Sequence, residues 1–283
     1  RISLVDPGFD PAVVERECSS FRPAVEWVDL EFAADAWPRR AITAHKYRAG
    51  SLLIVGGSTG MSGAAALAGQ AAHRAGAGLV EILAPGPVAP VIDGLTPESL
   101  VRGLAATESG GFARDVAGGI LQRAAGRAAT VLGCGVGDDP ETAELMVELS
   151  AKIAGPMLVD ADGLNAFERT GASRRFGPDC VVTPHAAELA RLLDTSSAEL
   201  EGDRLSAATE AARAFGCTVL LKGSPTVVAH PEGRVAFVGS GGPELATAGT
   251  GDVLAGAIGA LLAAGMPPFD AAATGAWVHG RAG

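Results

Sequence analysis

Leu52-Leu53-Ile54-Val55-Gly56-Gly57-Ser58 is an unbroken aliphatic run ending in a glycine turn, and from Ser62 an alanine-rich stretch follows that closes at Gly76. A run with no polar alternation marks a strand covered on both faces; the turn and helix behind it make half of a βαβ unit. Ser62 is expected to cap that helix, with Gly76 just past its end as the left-handed residue. The same punctuation recurs outward from this unit. Residues 79–83 and 129–133 read as strands, the second followed by the loop Cys134-Gly135-Val136-Gly137. Asp139 is expected to cap a helix with Pro140 in its first turn and Ala143, Met146, Val147 and Leu149 on one face. Residues 156–160 form a short buried strand ending in Asp160, and 181–183 and 218–221 repeat that pattern. Residues 226–238, broken by Pro231-Glu232-Gly233, read as an antiparallel hairpin. A glycine-rich turn at 247–251 opens an apolar helix from about 252 to 264.

Strands alternating with helices predict an α/β fold of three layers, αβα, with a mostly parallel central sheet. Ligands bind such sheets beyond the carboxyl ends of the strands. Gly56-Gly57, Gly133 to Gly135, Asp160, Thr183-Pro184-His185 and Lys222-Gly223 each follow a strand directly, so the chemistry is expected along one edge.

Composition agrees with this class. Glycine is abundant, at 39 residues, and aromatics make up only 5%, which suits tight strand-to-helix turns better than an aromatic-filled sandwich. A net charge of −10 argues against a nucleic-acid binder. Small phosphorylated ligands stay open, because loop amides and helix N-termini hold anions without basic side chains. Cys18, Cys134, Cys180 and Cys217 form no CxxC pair, so neither disulfide nor zinc is expected, as in a reducing cytoplasm. No apolar span approaches the roughly 20 residues of a membrane helix, and no signal peptide is recognisable. The chain opens on Arg1 and is expected to be part of a longer protein.

The sharpest chemical signal is Thr247-Ala248-Gly249-Thr250-Gly251-Asp252-Val253-Leu254-Ala255-Gly256. A glycine turn opening a helix presents free amides and the positive end of the dipole, a cradle for the oxyanions of a transferring phosphoryl group. Asp252 stands there as a base for an attacking hydroxyl; the plainer alternative makes it a first-turn acid on an ordinary turn. By the same reasoning His185 alone reads as a helix cap and Lys222 equally as a solvated edge lysine. Asp160 and Asp162 are spaced to reach a Mg²⁺ jointly, or to cap the turn after their strand. Gly133-Cys134-Gly135-Val136-Gly137 is too common a pattern to argue a dinucleotide fold.

The 247–256 segment resembles the anion hole and catalytic aspartate of the ribokinase-like superfamily, and within it the match is closest to the NAD(P)H-hydrate dehydratases. The blocks that carry the resemblance occur in the family's order from about residue 45 to the end. They are Lys46-Tyr47-Arg48-Ala49-Gly50, Gly56-Gly57-Ser58 to Gly63-Ala64-Ala65, Arg74 to Val80, Asp160-Ala161-Asp162-Gly163-Leu164-Asn165, Thr183-Pro184-His185 with Glu188, Lys222 to Thr226, and His279-Gly280. The resemblance implies ADP- or ATP-dependent dehydration of (6S)-NAD(P)H hydrate, with Mg²⁺ on the nucleotide. It places Lys222, Gly223, Ser224, Pro225, Thr226 and Gly251 on the nucleotide and Ala64, Gly135, His185 and Asp252 on the hydrated substrate. The anion hole would be Gly249, Thr250 and Gly251, with Asp252 catalytic. It further implies a homo-oligomer and an NAD(P)H-hydrate epimerase as functional partner, on the same chain or separate. The chain departs from the family pattern at Gly242-Pro243-Glu244-Leu245, where many relatives carry an asparagine, and at Gly163, where alanine is frequent and the change is expected to be harmless. Residues 1–44 are expected to be a linker or remnant of the epimerase domain, which Val5 to Phe9 resembles at its close, and 45–283 the dehydratase domain, cut short at its C-terminus. The rivals are a vitamin-precursor kinase of the same superfamily and a nucleotide-sensing module without catalysis.

Overall fold

The aliphatic runs expected as strands lie side by side in one sheet of the computed structural model, which describes residues 25–283. The strands are β1 (Glu26–Val28), β2 (Ser51–Val55), β3 (Leu79–Pro85), β4 (Leu100–Leu104), β5 (Ala129–Leu132), β6 (Met157–Val159), β7 (Cys180–Val182), β8 (Thr218–Leu221), β9 (Thr226–Ala229) and β10 (Val235–Val238). Their order is β1-β10-β9-β8-β7-β6-β5-β2-β3-β4. Every pairing is parallel except those of β9, which runs antiparallel to β8 and β10 as the expected hairpin requires.

Alternate side chains of the strands feed two cores. Leu52, Ile54, Val131, Leu158 and Leu220 enter one; Leu53, Val55, Leu132, Val159 and Leu221 enter the other. The first is covered by α1 (Leu30–Ala36), α2 (Ser62–Arg74), α3 (Ala89–Leu95), α10 (Thr250–Ala263) and α11 (Pro268–Ala282). The second is covered by α4 (Ala117–Ala124), α5 (Pro140–Lys152), α6 (Asp162–Thr170), α7 (Ala186–Leu193), α8 (Ser197–Gly202) and α9 (Arg204–Phe215). The three-layer αβα expectation therefore holds. Among the described residues, no helix is long and apolar enough to cross a membrane.

Helix α10 is buried along most of its length, and its glycines let it come close to its neighbours. A Cβ on Gly256 would overlap the Ala68 carbonyl of α2, and one on Gly259 would press on Val131 and Leu52 of the sheet. Charge inside the sheet is compensated: the fully buried Glu81 of β3 is met by Arg102 at 2.6 Å, Arg123 at 2.7 Å and Arg127.

Several local expectations need correction. Helix α2 begins at Ser62, but its N-cap is Met61, with no side-chain cap. Helix α10 begins at Thr250, two residues earlier than its apolar pattern suggests. Strand β4 carries exposed Leu100, Arg102 and Gly103 at the sheet edge, so it lacks the unbroken apolar signal of a covered strand. The stretch 1–44 is not all linker. Glu26, Trp27 and Val28 pair in register with Ala236, Phe237 and Val238, and Phe32 of α1 packs on the core. Arg234 fastens this edge, donating to Glu26 at 2.6 and 2.9 Å and to Asp270 at 2.7 Å, over the Phe269 ring. A three-residue strand and a seven-residue helix are too short to show a period, which is why they read as linker. Val5 to Phe9 lie outside the described residues.

A chain beginning at Thr43 is therefore expected to melt below one beginning at Val25 and to aggregate more readily, because it uncovers the β10 edge. Equal melting temperatures by calorimetry would return 25–42 to the status of linker.

Candidate active site

Strands β8, β7, β6, β5 and β2 are consecutive neighbours, so their C-terminal exits stand in a row. Along that row come Lys222, Thr183-Pro184-His185, Asp160, Gly133-Cys134-Gly135 and Gly56-Gly57. The N-terminus of α10 opens onto it. Gly249 is its N-cap at φ +90, a left-handed conformation, and no side chain caps the first turn. The first-turn amides have no intrahelical acceptor. The Thr250 hydroxyl lies within hydrogen-bond distance of the carbonyls of Leu245 (3.0 Å) and Thr247 (2.9 Å), tying the turn to the segment before it.

A Cβ built on Gly251 would sit 3.7 Å from both Asp160 Oδ2 and Lys222 Nζ. The anion turn thus lies directly against a buried ion pair, in which Lys222 Nζ donates to Asp160 Oδ1 at 2.9 Å. Glu188 Oε2 is 3.7 Å from the same ammonium. Burial pulls the Lys222 pKa down, but the Asp160 and Glu188 carboxylates more than offset this and hold it above the ordinary lysine value. Asp252, in the first turn of α10, is pushed up to about 6 by burial and by the Asp160 carboxylate, against a hydrogen bond from the Cys134 thiol and the charge of Lys222. Burial, with Asp252 and Asp160 adding to it, raises the thiol itself, so Cys134 stays protonated as a donor.

His185 is the N-cap of α7, and its Nδ1 accepts from the amides of Ala187 (3.1 Å) and Glu188 (3.2 Å). Glu188 Oε2 accepts the His185 amide at 2.8 Å, completing a capping box. The cap reading of His185 is therefore correct for one ring nitrogen; the other, Nε2, lies 3.4 Å from Glu188 Oε1, and the side chain is half exposed. The edge-lysine reading of Lys222 is not correct, because β8 is an interior strand and its side chain is 22% exposed.

Ala64 and Gly135 meet: a Cβ on Gly135 (φ +65) would fall 2.7 Å from the Ala64 Cβ. Asp160 and Asp162 both act on Asp252 through their charge, but they have different hydrogen-bond partners. Asp162 Oδ2 accepts the Gly137 amide at 3.0 Å and its Oδ1 faces Asn165 Nδ2 at 3.3 Å. Ala161 between the two aspartates takes the left-handed conformation, at φ +49. Among the described residues no three carboxylate, imidazole or thiol groups converge on a metal position. Gly163 is no neutral exchange for alanine, since a Cβ there would meet Gly133 Cα and Val159 Cγ1 at 3.0 Å.

A cleft of about 430 Å³ runs from Lys222, Gly223, Ser224 and Thr226 to Thr250-Gly251, with Val238, Leu254 and Ala276 as apolar wall. Pro225, also assigned to the nucleotide, sits within that turn. Gly242, Pro243 and Leu245 also line the cleft, so the departure from the family pattern falls on this cleft. Gly223, at φ +155, lies against the Arg204 guanidinium, which donates to the carbonyls of Leu221 (3.1 Å) and Lys222 (3.0 Å). Sequence reasoning missed Arg204, Cys134 as partner of Asp252, and the walls from β10 and α11. His279 was seen only as part of a motif; it lines the cleft, with burial holding its pKa below the usual value.

The family model described as NAD(P)H-hydrate dehydratase matches residues 52–283. The bifunctional NAD(P)H-hydrate repair enzyme of Moorella thermoacetica is 42% identical over 248 residues, 87% of this chain and 47% of that protein. The ADP-dependent (S)-NAD(P)H-hydrate dehydratase of Neisseria meningitidis serogroup B is 40% identical over 253 residues, 86% of this chain and 79% of that protein. The solved ADP/ATP-dependent NAD(P)H-hydrate dehydratase of Bacillus subtilis, co-crystallised with ATP/Mg²⁺, superposes with a TM-score of 0.75 at 28% identity, over 92% of this chain and 88% of that one. The chain thus spans about half the length of the bifunctional relatives.

Proposed function

The chain belongs to the NAD(P)H-hydrate dehydratase family, and from that membership we propose that it dehydrates (6S)-NAD(P)H hydrate to NAD(P)H with ADP or ATP as phosphoryl donor. The observation that carries the reading is a base, Asp252, in the first turn of an uncapped, glycine-opened helix that also borders the cleft.

Hydroxide leaves poorly, so the hydrate's hydroxyl is first made into a phosphate ester. Asp252 takes the hydroxyl proton, and the oxygen attacks the terminal phosphorus of the nucleotide. The bond to the bridging oxygen breaks, freeing AMP from ADP or ADP from ATP. The amides of Gly249, Thr250 and Gly251 hold the charge that spreads over the phosphoryl oxygens. Phosphate then departs as the ring nitrogen donates its electron pair, and NAD(P)H is restored. Ala64, Gly135 and His185 border the hydrated nicotinamide, while Lys222 to Thr226 border the nucleotide.

Among the described residues no donor set forms a metal cage by itself. Mg²⁺ suits the site as an ion carried on the nucleotide's phosphates, a hard cation that keeps several waters. In this reading the enzyme works in the cytoplasm as a homo-oligomer. An NAD(P)H-hydrate epimerase, on the same polypeptide or separate, interconverts the two epimers.

The test is absorbance at the reduced-nicotinamide band while hydrated NADH is incubated with Mg²⁺ and ADP or ATP. Recovery of the band only when nucleotide is present supports the reading. A stable phosphorylated alcohol formed from a vitamin precursor, with no recovery from the hydrate, would favour the kinase alternative.

A further inference from the structure

We infer that Asp160 and Glu188 are positioning residues that act through Lys222, clamping its ammonium under the anion turn so that it meets the transferring phosphoryl group. The inference rests on the function proposed above. Lysine is a long, flexible side chain that ordinarily carries its charge out to water. Here it is held inward by two carboxylates whose side chains are 2% and 7% exposed. Buried carboxylates are costly unless paired; Asp160 is hydrogen-bonded to this lysine, and Glu188 adds its charge at 3.7 Å. The ammonium has three protons. Asp160 Oδ1 lies at 2.9 Å and Glu188 Oε2 at 3.7 Å, and a Cβ built on Gly251 would fall 3.7 Å from the same nitrogen.

Glu188 does a second job with the same oxygen, accepting the His185 amide at 2.8 Å. The backbone reinforces the link, because the Lys222 amide donates to the Pro184 carbonyl at 2.9 Å and residues 185 and 222 form a bridge beyond the strand ends. One carboxylate therefore joins the loop assigned to the hydrated substrate to the residue that borders the nucleotide cleft. The trio of Asp160, Glu188 and Lys222 carries one net negative charge. It cannot attract a nucleotide by itself, so nucleotide binding falls to the turn amides and the cleft. What the trio supplies is a fixed ammonium, oriented before the reaction begins.

This separates rate from affinity. Asp160→Asn and Glu188→Gln are expected to lower kcat, roughly 100-fold and tenfold respectively. ADP affinity by calorimetry should stay within about twofold or tighten, because each change removes a negative charge near the phosphates. Glu188→Gln keeps the amide cap of His185, whereas Glu188→Ala loses it and should also raise the KM for the hydrate. The decisive comparison repeats Asp160→Asn in a Lys222→Met background. If Asp160 acts through Lys222, the second change costs nothing further. Losses that multiply, or a tenfold rise in the Mg²⁺ needed for half-maximal rate in Asp160→Asn, would overturn the inference and make Asp160 a metal ligand. Lys222→Gln, which retains donors for both carboxylates, serves if the methionine variant does not fold. A readout free of turnover is the ¹⁵N resonance of the Lys222 ammonium, expected to be protected from solvent exchange in the wild type and lost in Asp160→Asn. An unprotected wild-type resonance overturns the clamp. A protected one in a protein that restores no NADH preserves the clamp but removes the proposed function.

Discussion

Asp252→Asn is expected to lose about 10²–10⁴-fold in kcat and yet to melt above the wild type at neutral pH. The loss follows from removing the proposed base at the mouth of the glycine turn, while ADP affinity is expected to stay within a few-fold because the proposed nucleotide contacts are backbone amides and the cleft. The gain in stability follows from the pKa. The folded protein holds Asp252 at about 6, above the ordinary carboxyl value of 3.8. A raised folded pKa means the protonated form is favoured by folding, so its contribution is fully present below pH 3.8 and is lost as pH rises through 6. At pH 7.5 the wild type carries a disfavoured charge that asparagine removes, while the Cys134 thiol keeps an oxygen to donate to. A gain on the order of 1 kcal/mol raises Tm by roughly 2–4 °C in a domain of this size. The same titration predicts that wild-type kcat/KM falls as pH drops through about 6. Calorimetry at pH 7.5 and a pH–rate profile check both parts; a variant that keeps most of its kcat would remove Asp252 as the base.

Gly256→Ala should produce the larger loss of stability. Position 256 is one turn into α10 from Asp252, and a Cβ there overlaps the Ala68 carbonyl, which is backbone and has no rotamer to yield. Helix α10 must then lift from α2, at a cost of about 1–3 kcal/mol or more for overpacking. The displacement carries the anion turn with it, and a misplacement of about 1 Å costs on the order of 100-fold in rate. Gly118→Ala in α4 is the matched control. Nothing lies within 4 Å of its Cβ position, and alanine there is expected to stabilise by about 0.5–1 kcal/mol. If both variants melt like the wild type, the close contact of α10 and α2 does not set the site.

What could be read from the sequence was whatever the chain writes locally. Strands β2, β5, β6 and β8 are apolar on both faces because both faces are covered, and their exits marked the binding edge. The turn at 247–251, legible through its glycines, opens α10 with no side-chain cap. Strands β1 and β4 sit at the sheet edges, where exposed residues such as Arg102 interrupt the apolar signal. The walls of the cleft come from residues 238–245 and from Ala276 to Gly280, brought together only by tertiary packing. The spacing of Asp160 and Asp162 suggested a shared ion. In the fold Asp160 accepts from Lys222 and Asp162 from the Gly137 amide, partners that residue types do not reveal. Gly223 shows the same limit. Its substitution is a poor probe of nucleotide binding, because any side chain there displaces Arg204, which holds the end of β8.

In the proposed reaction the turn at Gly249 to Asp252 passes a phosphoryl group to the hydrate's hydroxyl, from which it leaves as phosphate. The most direct measurement follows hydrated NADH and ADP by ³¹P NMR under single-turnover conditions, alongside the absorbance of NADH. One AMP and one inorganic phosphate are expected for each NADH restored, with all three slowed together by about 10²–10⁴-fold in Asp252→Asn. NADH restored with ADP left intact, or AMP formed with the phosphoryl group retained in a stable ester, would contradict it.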